Sequence, residues 1–151
     1  MAGRTMQCGM TLIEVMVALL VFSVGILGVA MLQLNALKYT DSSMRNIHVS
    51  FIAHDLFERI RANPGASYAL SSLSQAPTSG SLVVPRQQDL YDFATQLKRA
   101  VGDDAEASIA VAGSTVTLTL NWDDSRASQA AAQQQTLTLT ADVSAEQGAR
   151  P

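Results

Sequence analysis

A single cysteine, Cys8, in 151 residues excludes an internal disulfide, so any secreted domain in this chain folds without a covalent staple. Cys8 also precedes the apolar run, whereas a lipoprotein signal places its hydrophobic stretch before the modified cysteine. A lipid anchor there is therefore not expected. Basic residues are few and scattered: 10 Lys and Arg against 13 Asp and Glu give a formal charge of −3. Without a basic cluster there is neither an electrostatic footprint for nucleic acid nor a polybasic lipid-binding patch. The chain contains no nucleophile elbow, no phosphate-binding glycine loop, no Cys-x-x-Cys and no Ser/His/Asp order. No catalytic residue, no cofactor and no direct nucleic-acid binding are expected from it.

What the chain does have is a long apolar run. From Val15 to Leu32 nothing is charged and only Ser23 is polar. A helix needs about 20 such residues to cross roughly 30 Å of hydrocarbon, so a spanning helix is predicted. The remaining residues, roughly 115, suffice for one small globular domain. A secretory signal peptide offers another reading of the run, with Arg4 as a thin basic region and Gly28-Val29-Ala30 as a cleavage site. That reading leaves Glu14 unexplained. A carboxylate at the bilayer centre costs about 2.5 to 3.5 kcal/mol on insertion scales, and intramembrane ionisable groups tend to have a functional partner. Gly25 and Gly28 interrupt the same run, as sites of close helix packing or of local unwinding.

After Leu34 the pattern turns amphipathic, with no Pro or Gly before Asn63-Pro64-Gly65. Val49, Ile52, Ala53, Leu56, Phe57 and Ile60 recur at three- and four-residue intervals, so one helix is predicted from Met10 to Ala62. At 1.5 Å per residue it would extend roughly 80 Å. Pro64 ends it, and Arg59 and Arg61 suit its negative end. Residues 65–88, rich in Ser, Ala, Gly and Pro, read as a loop that wraps the surface. Asp89 is the expected cap of a second helix over 89–101, stopped by Gly102. The period then becomes two, giving a weak strand over Ser108–Val111 and a strong one over Thr115–Trp122. A third is predicted over Thr136–Val143. Val116, Leu118, Leu120 and Trp122 share the inward face of the second of these strands, and the sheet is expected to be antiparallel. Two metal readings are weaker than their bland counterparts. His54 and Glu58 lie one helical turn apart without converging third and fourth ligands, and Asp103, Asp104, Glu106, Asp123 and Asp124 lack the alternating oxygens of a calcium loop. No metal site is expected.

Gly9-Met10-Thr11-Leu12-Ile13-Glu14 followed by an apolar helix resembles the class III signal of type IV prepilins and pseudopilins. Arg4 is the leader's only charge, where family leaders are usually more basic, and Met10 replaces the commoner Phe. The resemblance implies an α+β fold, a long N-terminal helix packed on a small antiparallel head. It implies cleavage by prepilin peptidase between Gly9 and Met10, N-methylation of Met10, and a docking role for Glu14, whose carboxylate pairs with the cationic amino terminus of a neighbouring subunit. The divisions that follow are a leader at 1–9, a transmembrane or filament-core half-helix at 10–34, an amphipathic half at 35–63 and a head at 64–151. Ser23–Gly28, Asp55–Pro64 and Val116–Asp123 are similar to the PilV group of minor pilins. The implied setting is the bacterial inner membrane, with the head in the periplasm, and the pilus. The implied partners are other minor pilins, the major pilin and the inner-membrane assembly platform, in a hetero-oligomer. A type II secretion pseudopilin carries the same signal. A membrane-anchored periplasmic enzyme or binding protein is the rival from another class.

Overall fold

The computed structural model describes residues 11–125 and 133–144. Its elements are α1 (Leu12–Ala62), a short 3-10 turn (Leu73–Gln75), α2 (Pro85–Val101), β1 (Glu106–Ala112), β2 (Thr115–Asp123) and β3 (Gln134–Asp142). Two compact units divide the chain, Met1–Lys38 and Tyr39–Pro151.

In the first unit α1 runs unbroken through Gly25 and Gly28. Its apolar side chains, from Leu12 to Leu37, are exposed all round. That arrangement suits a lipid or helix-packed environment, because water would leave this whole surface unburied. Ser23 does not disturb it, since its hydroxyl donates to the Leu19 carbonyl at 2.7 Å and is satisfied within the helix.

In the second unit the period of α1 selects one face. Val49, Ile52, Ala53, Leu56, Phe57 and Ile60 are all buried, the positions that the three-and-four spacing picks out. They join Leu90, Phe93 and Leu97 of α2 and the inner face of a three-stranded antiparallel sheet, ordered β1-β2-β3, in one core. Central strand β2 alternates strictly, with Val116, Leu118, Leu120 and Trp122 inward and buried. Leu118 faces Ile109 on one side and Leu139 on the other. Gly113 and Ser114 form the two-residue loop between β1 and β2, and Gly113 takes a φ of 63°, a conformation that costs glycine nothing.

The expected start of α2 at Asp89 is corrected to Pro85. Proline's fixed φ and missing N–H suit the first helical position, and Val84 precedes it without a side-chain cap. Asp89 therefore lies inside the helix, where its carboxylate has other partners. The segment read as a loop over 65–88 is correspondingly shorter, and it is built into the core. Leu70 exchanges two main-chain hydrogen bonds with Ile109 of β1, at 3.0 and 2.7 Å, and Tyr68, Leu70 and Leu73 are buried. β1 is longer than the expected Ser108–Val111, because pairing with β2 reaches from Glu106↔Asn121 to Ala112↔Thr115.

Candidate functional site

Two regions carry the sequence-derived roles, the first turns of α1 and the head. Gly9 and Met10 lie outside the described residues. Thr11 opens α1, its carbonyl accepting from the amides of Glu14 at 3.0 Å and Val15 at 3.3 Å. Glu14 is exposed in that first turn, where a carboxylate meets the positive end of the helix dipole. Among the described residues it forms no ion pair. Farther along, Val21, Phe22, Gly25, Ile26, Val29, Ala30 and Gln33 share one mostly apolar, exposed face of α1. No atom outside the local helix backbone comes within 4 Å of a Cβ built on Gly25 or on Gly28. The missing side chains thus leave helix surface that another helix can approach closely.

In the head the principal polar cluster is an ion-pair network that joins the end of α1 to α2. Arg59 donates to Asp55 at 2.8 Å, to Asp89 at 3.0 Å and to Asp92 at 3.3 Å. The Tyr68 hydroxyl donates to the other oxygen of Asp89 at 2.6 Å and accepts from Asn63 at 3.2 Å. Partial burial works against the Arg59 charge, but the hydrogen bonds to Asp89 and Asp55 outweigh it and hold the guanidinium above its ordinary pKa. Burial, followed by donation to the Asp89 carboxylate, raises the Tyr68 phenol above 10.0. With the folded value above the unfolded one, Tyr68 contributes its full stability below pH 10.0 and loses it as pH rises through the folded value. Tyr68→Phe is expected to cost about 1 kcal/mol at neutral pH and to flatten the fall in head stability above pH 10.0. Urea titrations that follow the emission of Trp122, the chain's sole tryptophan, test this.

A second tie closes the other end of the core. Asp124, only 3% exposed, accepts from the Ser42 hydroxyl of α1, and its amide donates to Gln133 at 2.9 Å. The pair Asp123-Asp124 is thus not simply a charged turn: Asp123 caps Ser125 while Asp124 is a buried anchor. Asp142, at the end of β3, accepts from Ser144 and lies near Arg61, and these contacts hold its pKa below the usual carboxylate value. Trp122 is in the core, with no hydrogen-bond partner for its Nε1. The described residues contain no cluster of three His, Cys, Asp or Glu side chains able to hold a metal ion. His54 instead meets Phe57 edge-on at 6.4 Å.

The Arg59 and Asp124 ties were not legible in the sequence, because each joins residues 30 or more positions apart. The alternation of Tyr68, Leu70 and then Leu73 was a usable signal for the buried wrap, masked by the Ser, Gly and Pro around it. Both ties hold elements of the head together.

Residues 4–30 match the family model for the prokaryotic N-terminal methylation motif. No curated protein and no solved structure matches the chain. The motif supports a type IV prepilin-like protein, a pilin or pseudopilin in general, and the long apolar helix followed by a second helix and a three-stranded antiparallel sheet is consistent with a type IV pilin-like α+β fold. A class III signal implies processing by prepilin peptidase and assembly with pilins in the inner membrane.

Proposed function

We propose that this chain is a minor type IV pilin of the PilV kind, stored in the inner membrane by the first half of α1 and incorporated with other minor pilins into a complex that primes or caps pilus assembly. The observation that supports the pilin-like part of this reading is the methylation motif over residues 4–30, continued by one unbroken helix that is largely apolar before Leu37 and packs into a head beyond it. Cleavage falls between Gly9 and Met10. The new amino terminus at Met10, N-methylated and still cationic, pairs with Glu14 of a neighbour, and each charge offsets part of the other's burial cost. Gly25 and Gly28 let adjacent helices pack closely or unwind locally. The leader is 1–9, the filament-core half of the helix 10–34, its amphipathic half 35–63 and the head 64–151, held in the periplasm.

Pseudopilins of type II secretion share the motif, so it favours neither assembly. Neighbouring genes separate them: other minor pilin genes support the pilus, a secretion ATPase and secretin the alternative. The class itself is tested by the intact mass and N-terminal sequence of the protein recovered from native membranes, with and without prepilin peptidase. The expected result is a peptidase-dependent start at methylated Met10. A start near Met31 would mark an ordinary secreted protein and end this reading.

A further inference from the structure

The sheet ends differently at its two edges. On the β1 side Ile109 turns its amide and carbonyl outward, and Leu70 takes both, at 2.7 and 3.0 Å. On the β3 side the register fixes which groups face outward. Val143 donates to the Ser114 carbonyl at 2.8 Å and Asp124 to the Gln133 carbonyl at 2.9 Å, so the odd-numbered residues of β3 are the ones that bond to β2. The even-numbered ones, Gln134, Thr136, Thr138, Thr140 and Asp142, turn their amides and carbonyls away from the sheet. Arg61 occupies the Asp142 carbonyl, at 3.1 and 3.3 Å. From Gln134 to Thr140 the outward groups have no main-chain partner among the described residues.

This edge also lacks the usual protection against pairing. Between Gln133 and Ala141 there is no charge, no Pro and no Gly, and the register with β2 runs without a bulge. The inner face is unfinished as well. Leu137, Leu139 and Ala141 pack on the core but stay half-buried, whereas Ala107 and Ile109, on the covered edge, are each 3% exposed. One more strand beside β3 would bury them further.

We infer that the outward edge of β3 receives an extended segment from the head of a different subunit, one carrying the same class III signal, as a fourth strand. The outward amides and carbonyls recur every second residue, about 7 Å apart, a spacing that an extended main chain matches and a helix does not. Leu137 and Leu139 call for apolar side chains at alternate positions of that segment, since a charge there would be buried unpaired. A second copy of this chain does not fit. Antiparallel pairing of β3 with itself is two-fold about the normal to the sheet, and that rotation reverses the part of α1 that packs on the sheet from Val49 to Ile60. Subunits held in one membrane share one direction of α1. The inference rests on the pilin reading and adds to it the edge by which a different subunit is held.

A photoreactive diazirine amino acid placed in the full-length chain at Thr136, Thr138 or Thr140, one position at a time, tests this in native membranes. All three side chains are exposed, and the attachment sites are read by mass spectrometry. The expected result is capture of one and the same prepilin-class subunit from all three positions. The attachment sites should step by two residues along one segment of it as the label steps by two along β3. Thr138→Pro removes an outward N–H and leaves the ladder to β2 unbroken, so it should lower capture from position 136 at least about tenfold, while Thr138→Ala leaves it unchanged. Equal capture in Thr138→Pro, attachment only to this same chain or to a protein without a class III signal, or sites that do not step would each overturn the contact and leave the pilin reading intact. So would no capture by subunits that start at Met10 and have folded heads. Subunits that do not start at Met10 would remove that reading and the contact with it.

Discussion

Glu14→Ala is expected to leave cleavage after Gly9 intact and to reduce incorporation of the subunit into filaments at least tenfold. Removing one member of a buried ion pair leaves the other charge unpaired at a cost of about 3 to 5 kcal/mol, far more than the 1.4 kcal/mol that corresponds to tenfold. In the proposed docking the stranded charge is the amino terminus of the neighbouring subunit. The substitution changes α1 little, because the higher helix propensity of alanine offsets the lost interaction with the helix dipole and Glu14 forms no ion pair among the described residues. Nor does it hinder membrane insertion, which becomes easier without a carboxylate. Glu14→Gln keeps the size and removes the charge, so an equal loss in that variant assigns the effect to charge. Quantifying the subunit in sheared filaments against the membrane pool is the measurement. Unchanged incorporation of correctly processed Glu14→Ala would refute the docking role and favour a membrane-anchored protein that works alone.

The head offers the second large effect. Leu118→Ala is expected to cost about 2 to 5 kcal/mol, because it empties a fully buried site at the middle of the central strand. Ile109 and Leu139 flank that site in register and are held by their own ladders, so they cannot collapse into the space. With a urea dependence of about 1 to 3 kcal/mol per molar for a small domain, the midpoint should fall by about 0.7 to 5 M. Trp122 reports it without interference from the membrane half, since no other tryptophan is present and Trp122 is buried in the head. Leu139→Ala on edge strand β3, where the side chain is only half-buried, should cost visibly less. Equal midpoints for wild type and Leu118→Ala would mean that β2 does not form the centre of the core.

These two outcomes depend on different kinds of information. Glu14 stands out in the local sequence alone: a carboxylate at fixed spacing from a glycine, ahead of a run with no other charge, is anomalous wherever the helix goes. The buried face of α1 and the inward residues of β2 were legible for a similar reason. Periods of 3.6 and 2 fix which side chains share a face before any partner is known, and Val49 through Ile60 and Val116 through Trp122 obey them.

What lay beyond the sequence was whatever depends on a distant residue or on competition between two local rules. Asp89 and Pro85 were both acceptable starts for α2. Pro85 fits the first turn, and Asp89 is drawn instead to Arg59 and Tyr68, whose positions only the packed head supplies. Asp124 is tied to Ser42 across 82 positions, a contact that no local pattern announces. The exposure of Leu82, Val83, Ile47 and Phe51 is likewise a property of the packed head. Only the tertiary structure left them outside the core, because α1 has one face to bury in the head and the loop before α2 is anchored at its base with its tip outward. The sequence by itself thus determined periodicity, the membrane half-helix and the processing signal, which are local properties of the chain. The tertiary structure decided the pairing of charges and which apolar surface remained uncovered, which are properties of what the packed core had room to bury.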